Sequence, residues 1–190
     1  YPLTPIISHD NPKILKGFMD LFLSKFLNNI DKKGRVTLPS LFRNALPKNS
    51  RNEIILFKSL KFPAIEGCSS QRINKIANKI NELDIFSDDQ EDFATSIFSE
   101  VIPTKLDKEG RFLISDNLKN YANIFSEATF IGQGHYFQIW EPKAALERQK
   151  KSRDRLVKEK RTIGSILTKE DRKNGWIKQT CAGNVTRIKK

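Results

Sequence analysis

The sequence has few of the residues that build metal sites and disulfide frameworks. Among its 190 residues only two are cysteines, Cys68 and Cys181, and only two are histidines, His9 and His135. Their positions fit neither the ligand spacing of a zinc site nor the cysteine pattern of a small disulfide scaffold. We therefore expect no metal and no cofactor, and a bacterial cytoplasmic location.

Long apolar runs are also missing. No stretch of about 18 apolar residues occurs, and a helix that crosses a membrane needs at least that length. The composition is 38% hydrophobic and 29% charged, which is typical of a folded globular protein. We expect no membrane partner.

Charge is abundant and unevenly distributed. The chain carries 34 Lys and Arg residues against 22 Asp and Glu residues, a net charge of +12. Residues 143–190 account for +11 of this excess, so the remainder of the chain is nearly neutral. Within that remainder, residues 25–51 contain seven basic side chains and a single acid, whereas residues 82–100 contain seven acids and no base. A local basic surface in the first of these segments would suit nucleic acid.

An internal repeat organises the chain. Residues 31–35 and 107–111 share the pattern Asp-Lys-x-Gly-Arg at a separation of 76 residues. A second similarity aligns residues 62–66 with 137–141 at a separation of 75 residues. The identical residues of the motif are Asp31, Lys32, Gly34 and Arg35 in the first copy, and Asp107, Lys108, Gly110 and Arg111 in the second.

Both copies predict the same series of elements. A strand leads into the motif, a second strand leaves it, a short helix follows, and two further strands form a hairpin. Ser40 and Asp116 are the predicted N-caps of the short helices. The predicted strands and helices are 21–30, 35–38, 40–46, 53–57 and 64–66 in the first copy, and 101–106, 111–114, 116–122, 128–131 and 136–140 in the second.

Helices are predicted after each copy. Ser69 or Ser70 caps a helix with apolar residues at three- and four-residue intervals, and Ser87 with Gln90 resembles a capping box for another. Pro142 is a favoured first residue of a third helix, which we expect to run to about Lys160.

The Asp-Lys-x-Gly-Arg motif has the chemistry of a tight turn that presents an arginine. An Asp at the start of a turn accepts backbone N–H groups, and a Gly three residues later tolerates a positive φ. The arginine that follows is a planar donor fork suited to phosphate oxygens or base edges. From the residues alone, a plain hairpin turn with an Asp–Arg pair and a nucleic-acid contact remain two open interpretations.

The motifs and their surroundings resemble the MraZ family. The resemblance rests on residues 19–26 and 31–39, on residues 106–114, and above all on the segment 130–140, Phe-Ile-Gly-Gln-Gly-His-Tyr-Phe-Gln-Ile-Trp. It implies a mainly β fold with flanking helices (α+β). In that fold a pseudo-symmetric pair of AbrB-like swapped-hairpin units forms one barrel-like domain, with a helix after each repeat.

The resemblance also implies a function. The protein would be a DNA-binding transcription regulator that forms a homo-oligomeric ring, associates with the nucleoid, and binds direct repeats of double-stranded DNA. Those repeats lie in the promoter of the division and cell-wall gene cluster, which includes its own gene. The implied DNA contacts are Arg35 with Lys32 and Lys33, and more weakly Arg111 with Lys108; Asp31, Gly34, Asp107 and Gly110 form the turns.

The repeat and the resemblance divide the chain into six regions. We expect residues 1–18 to be an N-terminal extension without a folded role or an upstream artefact, and the basic tail to be disordered. The regions are the extension 1–18, the first repeat 19–69, a helical linker 70–100, the second repeat 101–142, a helix 143–166 and the tail 167–190.

Two other functions are compatible with the same residues. Asp31 and Asp107 could face each other as a catalytic carboxylate pair, although each is followed by Lys, which suits a solvated turn. An AbrB-like protein-interaction or antitoxin-type module is the second alternative. With DNA as the partner, we expect no enzyme activity and no small-molecule substrate.

Overall fold

The computed structural model describes residues 21–84 and 87–166. It divides the chain into two compact units, the first ending at Leu146 and the second beginning at Glu147. The extension expected at residues 1–18 and the tail expected at residues 167–190 lie outside the described residues.

The described residues form eight strands and six α-helices. The strands are β1 (Lys25–Asn29), β2 (Arg35–Thr37), β3 (Glu53–Lys58), β4 (Ile65–Cys68), β5 (Ile102–Lys105), β6 (Arg111–Leu113), β7 (Glu127–Gly132) and β8 (Phe137–Trp140). The helices are α1 (Ser40–Ala45), α2 (Ser70–Asn81), α3 (Asp88–Phe98), α4 (Asp116–Ala122), α5 (Pro142–Lys158) and α6 (Ile163–Ile166).

Six strands form one antiparallel sheet in the order β1-β7-β8-β4-β3-β5, and β2 pairs with β6 as a separate two-stranded ribbon. The strand that leads into each motif pairs with the hairpin of the other copy. Lys25 of β1 lies opposite Ile131 of β7, and Lys105 of β5 lies opposite Glu53 of β3. The two copies therefore exchange strands along both edges of the sheet.

The strand registers revise the alignment of the two hairpins. Ile65 of β4 lies directly opposite Ile139 of β8, and the pairs formed by Glu53 and Glu127 correspond in the same way. The hairpins thus correspond at a separation of 74 residues, not at the 75 predicted from the similarity of residues 62–66 and 137–141. The loops after α1 and α4 absorb the difference from the motif separation of 76.

A mainly β architecture with helices is confirmed, but a closed barrel is not found. In the described residues β1 and β5 are the two ends of the six-stranded sheet, and each pairs with one neighbour inside it. The expectation of a barrel-like domain is therefore corrected to an open sheet accompanied by a ribbon.

The core between sheet and ribbon is rich in phenylalanine. Phe42 of α1 is fully buried, and its ring lies 5.4 Å from that of Phe22 and 5.3 Å from that of Phe137. Phe112 of the ribbon packs on Phe130 of the sheet with ring centroids 6.3 Å apart. These contacts fix the ribbon against the sheet because each buried ring removes a large apolar area from water.

Helices α2 and α3 explain why β3 is apolar on both faces. Ile54 and Leu56 point into the main core, whereas Ile55 and Phe57 join Ile80 of α2 and Ile97 of α3 in a second cluster. Alternate residues of a strand face opposite sides of its sheet, so β3 needs two apolar faces to be covered on both. The run Ile-Ile-Leu-Phe meets that need.

The caps of the long helices agree with the sequence, and those of the short helices do not. Ser69 accepts a hydrogen bond from the N–H of Arg72, and Ser87 accepts one from that of Gln90. The predicted N-caps Ser40 and Asp116 were wrong by one residue: the caps are Pro39 and Ser115, and the Ser115 hydroxyl accepts from the N–H of Leu118.

Three further boundaries differ from the prediction. β1 begins at Lys25 and not at residue 21, because Ser24 has a φ of 76° that interrupts extended backbone. At the other end of the described residues, α5 begins at Pro142 as expected but stops at Lys158. The single helix expected at 143–166 is interrupted there and followed by the short α6.

Candidate nucleic-acid interface

The first motif folds as a closed turn. The N–H of Asp31 donates to the carbonyl of Arg35, and the N–H of Gly34 donates to the carbonyl of Asp31, each at 2.9 Å. Gly34 has a φ of 78°, which a residue with a Cβ adopts only at a cost. The predicted turn at residues 31–35 is therefore present, and β2 begins at its arginine.

The carboxylate of Asp31 binds the inside of this turn. Oδ1 accepts the N–H groups of Lys33 and Arg35 at 2.9 Å, and Oδ2 accepts Nε and Nη2 of Arg35 at 2.8 Å. The backbone N–H of Arg35 is the largest cause that lowers the pKa of Asp31, and the guanidinium of Arg35 lowers it further. Because Asp31 stays ionised, it holds the arginine in one orientation at the edge of the turn.

The second motif repeats this geometry and adds one acid. Asp107 accepts the N–H groups of Glu109 and Arg111 and the Nε of Arg111, at 2.8–3.0 Å. Glu109 also pairs with Nη2 of Arg111 at 3.1 Å. The pKa of Asp107 is lowered, mainly by the backbone N–H of Arg111, and the pKa of Arg111 is raised, mainly by its hydrogen bond to Asp107.

The ribbon brings the two arginines to one exposed surface. In the antiparallel register of β2 and β6, Arg35 lies opposite Leu113 and Arg111 lies opposite Thr37. Opposite residues point to the same face, so both arginine side chains leave the same side of the ribbon. The intervening pair, Val36 and Phe112, points to the other side and is buried in the core.

The remaining predicted site residues lie at the same two turns. Lys32 and Lys33 are exposed in the first, and Lys108 is exposed in the second. Gly110 has a φ of 77° and closes the second turn as Gly34 closes the first. The fold thus joins two sequence motifs that are 76 residues apart into one surface, which we call the paired-turn surface: residues 31–37 and 107–113.

Two basic side chains at this surface were missed by the motif search. Arg43 of α1 lies on the second turn, where its Nη1 donates to the carbonyl of Glu109 at 3.3 Å. A Cβ placed on Gly110 would be only 2.4 Å from the same Nη1. Lys119 of α4 stands in the same relation to the first turn, 3.1 Å from a Cβ placed on Gly34. The separation of 76 residues between Arg43 and Lys119 was the available signal.

The geometry does not support a catalytic carboxylate pair. Acids that share a proton raise the pKa of one partner, whereas the pKa values of Asp31 and Asp107 are both lowered. Each carboxylate accepts several hydrogen bonds inside its own turn. Cys68 is buried, and burial raises the pKa of its thiol to about 12, so this thiol is a poor nucleophile.

Two searches of the described residues for other kinds of site found none. No three or more His, Cys, Asp and Glu side chains come together there in a way that could hold a metal ion. In the same part of the chain, no helix is long and apolar enough to cross a membrane.

Comparisons with known proteins agree on one family. Residues 97–164 match the family described as "MraZ protein, putative antitoxin-like". A protein of Pelagibacter ubique named "Transcriptional regulator MraZ" is 44% identical over 130 residues, which cover 68% of this chain and 83% of the relative.

Two more relatives carry the same name. The one from Gluconobacter oxydans is 39% identical over 140 residues, covering 72% of this chain and 85% of the relative. The one from Rickettsia akari is 36% identical over 143 residues, covering 75% of this chain and 95% of the relative.

Proposed function

The chain belongs to the MraZ family, and from that membership we propose that it regulates transcription by binding DNA in a sequence-specific manner. The proposed target is the set of direct repeats in the promoter of the division and cell-wall gene cluster, which includes its own gene. The observation that carries the proposal is the paired-turn surface, where two arginines held by ionised aspartates leave one exposed face.

In this proposal the turns have distinct parts. Arg35 contacts base edges or phosphates, supported by the exposed charges of Lys32 and Lys33, and Arg111 with Lys108 makes the weaker contact. An aspartate that holds an arginine in place lowers the conformational entropy lost when the arginine binds DNA. Asp31, Gly34, Asp107 and Gly110 shape the turns and make no contact themselves.

The strand order supports a proposal about architecture. Exchanging the corresponding strands of the two copies turns the order β1-β7-β8-β4-β3-β5 into its own reverse. We therefore propose that the two copies are AbrB-like swapped-hairpin units related by pseudo-twofold symmetry. Their symmetry would place two similar turns side by side on the ribbon.

Several copies of the chain are proposed to act together at the nucleoid of the bacterial cytoplasm. One protomer offers a few phosphate contacts, whereas a homo-oligomeric ring on repeated sites multiplies them through effective concentration. Binding of this kind releases counterions and is steeply salt-dependent. The proposed activity is not enzymatic and requires no cofactor.

The direct test measures binding of the full chain to the DNA upstream of its own gene. Arg35→Ala is expected to weaken promoter binding by about 10- to 100-fold, the typical cost of losing an arginine that contacts a base, while the oligomer stays intact. Lys79→Gln is the control, because Lys79 lies on α2, is 77% exposed and pairs with Glu82. Fluorescence anisotropy and light scattering would follow affinity and assembly.

Two results would contradict this function. Equal affinity of the unaltered chain for the promoter and for a fragment with scrambled repeats would remove the sequence-specific part. Affinity that does not change between low and physiological salt would remove the phosphate contacts. Loss of the oligomer in Arg35→Ala would assign the motif a structural role instead.

An antitoxin-type or other protein-interaction module is the second candidate, favoured by the wording of the matched family. In that case the paired-turn surface would bind a protein partner and the chain would show no preference for its own promoter. The scrambled-repeat comparison therefore separates the two candidates.

A further inference from the structure

A cationic cavity of about 330 Å³ lies beside the second turn. It is bordered by α1, by the loop that precedes β3, and by the turn itself. Its walls consist of Ser40, Arg43, Asn44, Arg51, Asn52, Leu106, Asp107, Lys108 and Gly110. Three cations from three separate elements therefore converge on one cavity.

The single carboxylate in these walls does not neutralise the cations. Asp107 already accepts two backbone N–H groups and the guanidinium of Arg111. Among the described residues, no carboxylate lies within ion-pair distance of Arg43, Arg51 or Lys108. The cavity therefore keeps an uncompensated positive charge next to hydroxyl and amide donors.

Arg43 in particular has unused donor capacity. Its one hydrogen-bond acceptor in the described part of the chain is the carbonyl of Glu109, at 3.3 Å. Nε of Arg43 is buried and has no hydrogen-bond partner there. Its guanidinium lies directly on Gly110, so the turn fixes its position. An arginine that is held in place and only partly satisfied is suited to bind a phosphate.

The corresponding place at the first turn has less positive charge. Lys119 occupies the position of Arg43, but its ammonium pairs with Asp116 at 2.8 Å. By the strand register, Phe125 occupies the position of Arg51. The cationic cavity is therefore a property of the second turn alone among the two.

The geometry points to a binding site for a phosphodiester oxygen of the DNA backbone, formed by Arg43, Arg51 and Lys108. This inference rests on the proposed DNA-binding function and adds a division of roles. The cavity holds the backbone without regard to sequence, and Arg35 of the first turn discriminates between sequences. Phosphate contacts position a protein on DNA, whereas contacts to bases specify the site.

The test compares two variants on two DNA fragments over a range of salt concentrations. Arg43→Gln and Arg51→Gln should weaken binding to the promoter and to a scrambled fragment by the same factor. Each should also make the slope of log affinity against log salt shallower by about 0.9, the loss of one phosphate contact. Lys79→Gln serves as the control and should leave both affinity and slope unchanged.

Arg51→Gln guards against misfolding. Arg51 is exposed, whereas Arg43 packs on Gly110, so only Arg43→Gln carries a risk to the turn. Thermal unfolding of both variants would show whether the fold is kept. Ethylation of single DNA phosphates gives an independent readout, because the unaltered chain should lose binding at one phosphate per site that no longer matters to Arg43→Gln.

The outcomes separate the inference from the function on which it rests. If Arg35→Ala loses promoter preference but Arg51→Gln and a folded Arg43→Gln keep the full salt slope, the cavity is not a DNA phosphate site and the function stands. If the unaltered chain has no preference for its promoter, both fail. Inorganic phosphate that binds at the cavity without competing with DNA would assign it to a free phosphate and overturn the inference.

Discussion

The first turn holds Arg35 between one acid and open solvent, whereas the second holds Arg111 between two acids and beside a cationic cavity. Their backbones are closed by the same hydrogen bonds, and both glycines have a φ near 77°. The difference thus comes from the side chains around the turns. In the first turn the basic side chains lie on the turn itself, and in the second they arrive from α1 and the loop before β3.

This difference corrects an impression given by the linear sequence. The basic segment 25–51 reads as the surroundings of the first motif, but strand exchange divides it. Lys32, Lys33 and Arg35 remain at the first turn, while Arg43 and Arg51 lie at the second. Neighbours in sequence and neighbours in space are therefore different sets, and the two turns have a more even share of basic charge than their sequences suggest.

The largest expected effect concerns the helices that carry Arg43 and Lys119. Phe42 of α1 is fully buried against four other phenylalanine rings, and its counterpart in α4 is the buried Leu118. Phe42→Ala should lower the free energy of unfolding by about 3–5 kcal/mol, and Leu118→Ala by about 2–5 kcal/mol. Urea unfolding followed by tryptophan fluorescence would measure both.

Phe125→Ala is the control for this pair, because Phe125 is 73% exposed and should change the stability by less than about 0.5 kcal/mol. A Phe42→Ala variant as stable as this control would show that α1 is not held by its phenylalanine, and that the support of Arg43 differs from that of Lys119.

A charge exchange between the turns tests whether their surroundings decide DNA affinity. Lys33 and Glu109 occupy the same position in the two motifs, and only Glu109 pairs with the arginine of its turn. Lys33→Glu should weaken promoter binding and make the salt slope shallower by about one. Glu109→Lys should strengthen binding and make the slope steeper by about one. Equal slopes in both variants would mean that position three of the motif does not face DNA.

The smallest expected effect is a dependence of stability on acid. The lowered pKa values of Asp31 and Asp107 mean that each carboxylate stabilises the fold at pH values above the ordinary aspartate pKa. That stabilisation is lost as the pH falls through the lower pKa of the folded state.

Asp31→Asn and Asp107→Asn should therefore be less stable than the unaltered chain at pH 7, and the difference should shrink in the range below about pH 4. Urea midpoints measured at several pH values would show the convergence. A constant difference at all pH values would indicate that the charge of the aspartate has no part in the turn.

Much of the fold was predictable from local signals. The turn at each motif follows from Asp and Gly at fixed positions, the caps Ser69 and Ser87 from serines before apolar periodicity, and the start of α5 from Pro142. These features depend on residues within a few positions of one another. Periodicity and turn chemistry are sufficient to find them.

The features that were missed depend on contacts between distant segments. The pairing of β1 with β7 and of β5 with β3 has no local signature, so the arrival of Arg43 at the second turn could not be read from its neighbours. The caps Pro39 and Ser115 were misplaced by one residue because two candidate residues stand side by side at each helix start. The open sheet was missed because an implied barrel differs from it only in how the edge strands pair.

The exchanged edge strands also bear on how the chain acquires its structure. Lys25 and its partner Ile131 lie 106 positions apart, so during synthesis β1 leaves the ribosome about 5–20 s before β7 is made. In that interval Phe26 and its neighbours lack the strand that covers them in the finished protein. Loop closure over such distances is slow, and folding in milliseconds to seconds, not microseconds, is expected of this topology. The first half therefore waits, with an unpaired edge exposed to other chains, for a partner encoded near the far end of the same message.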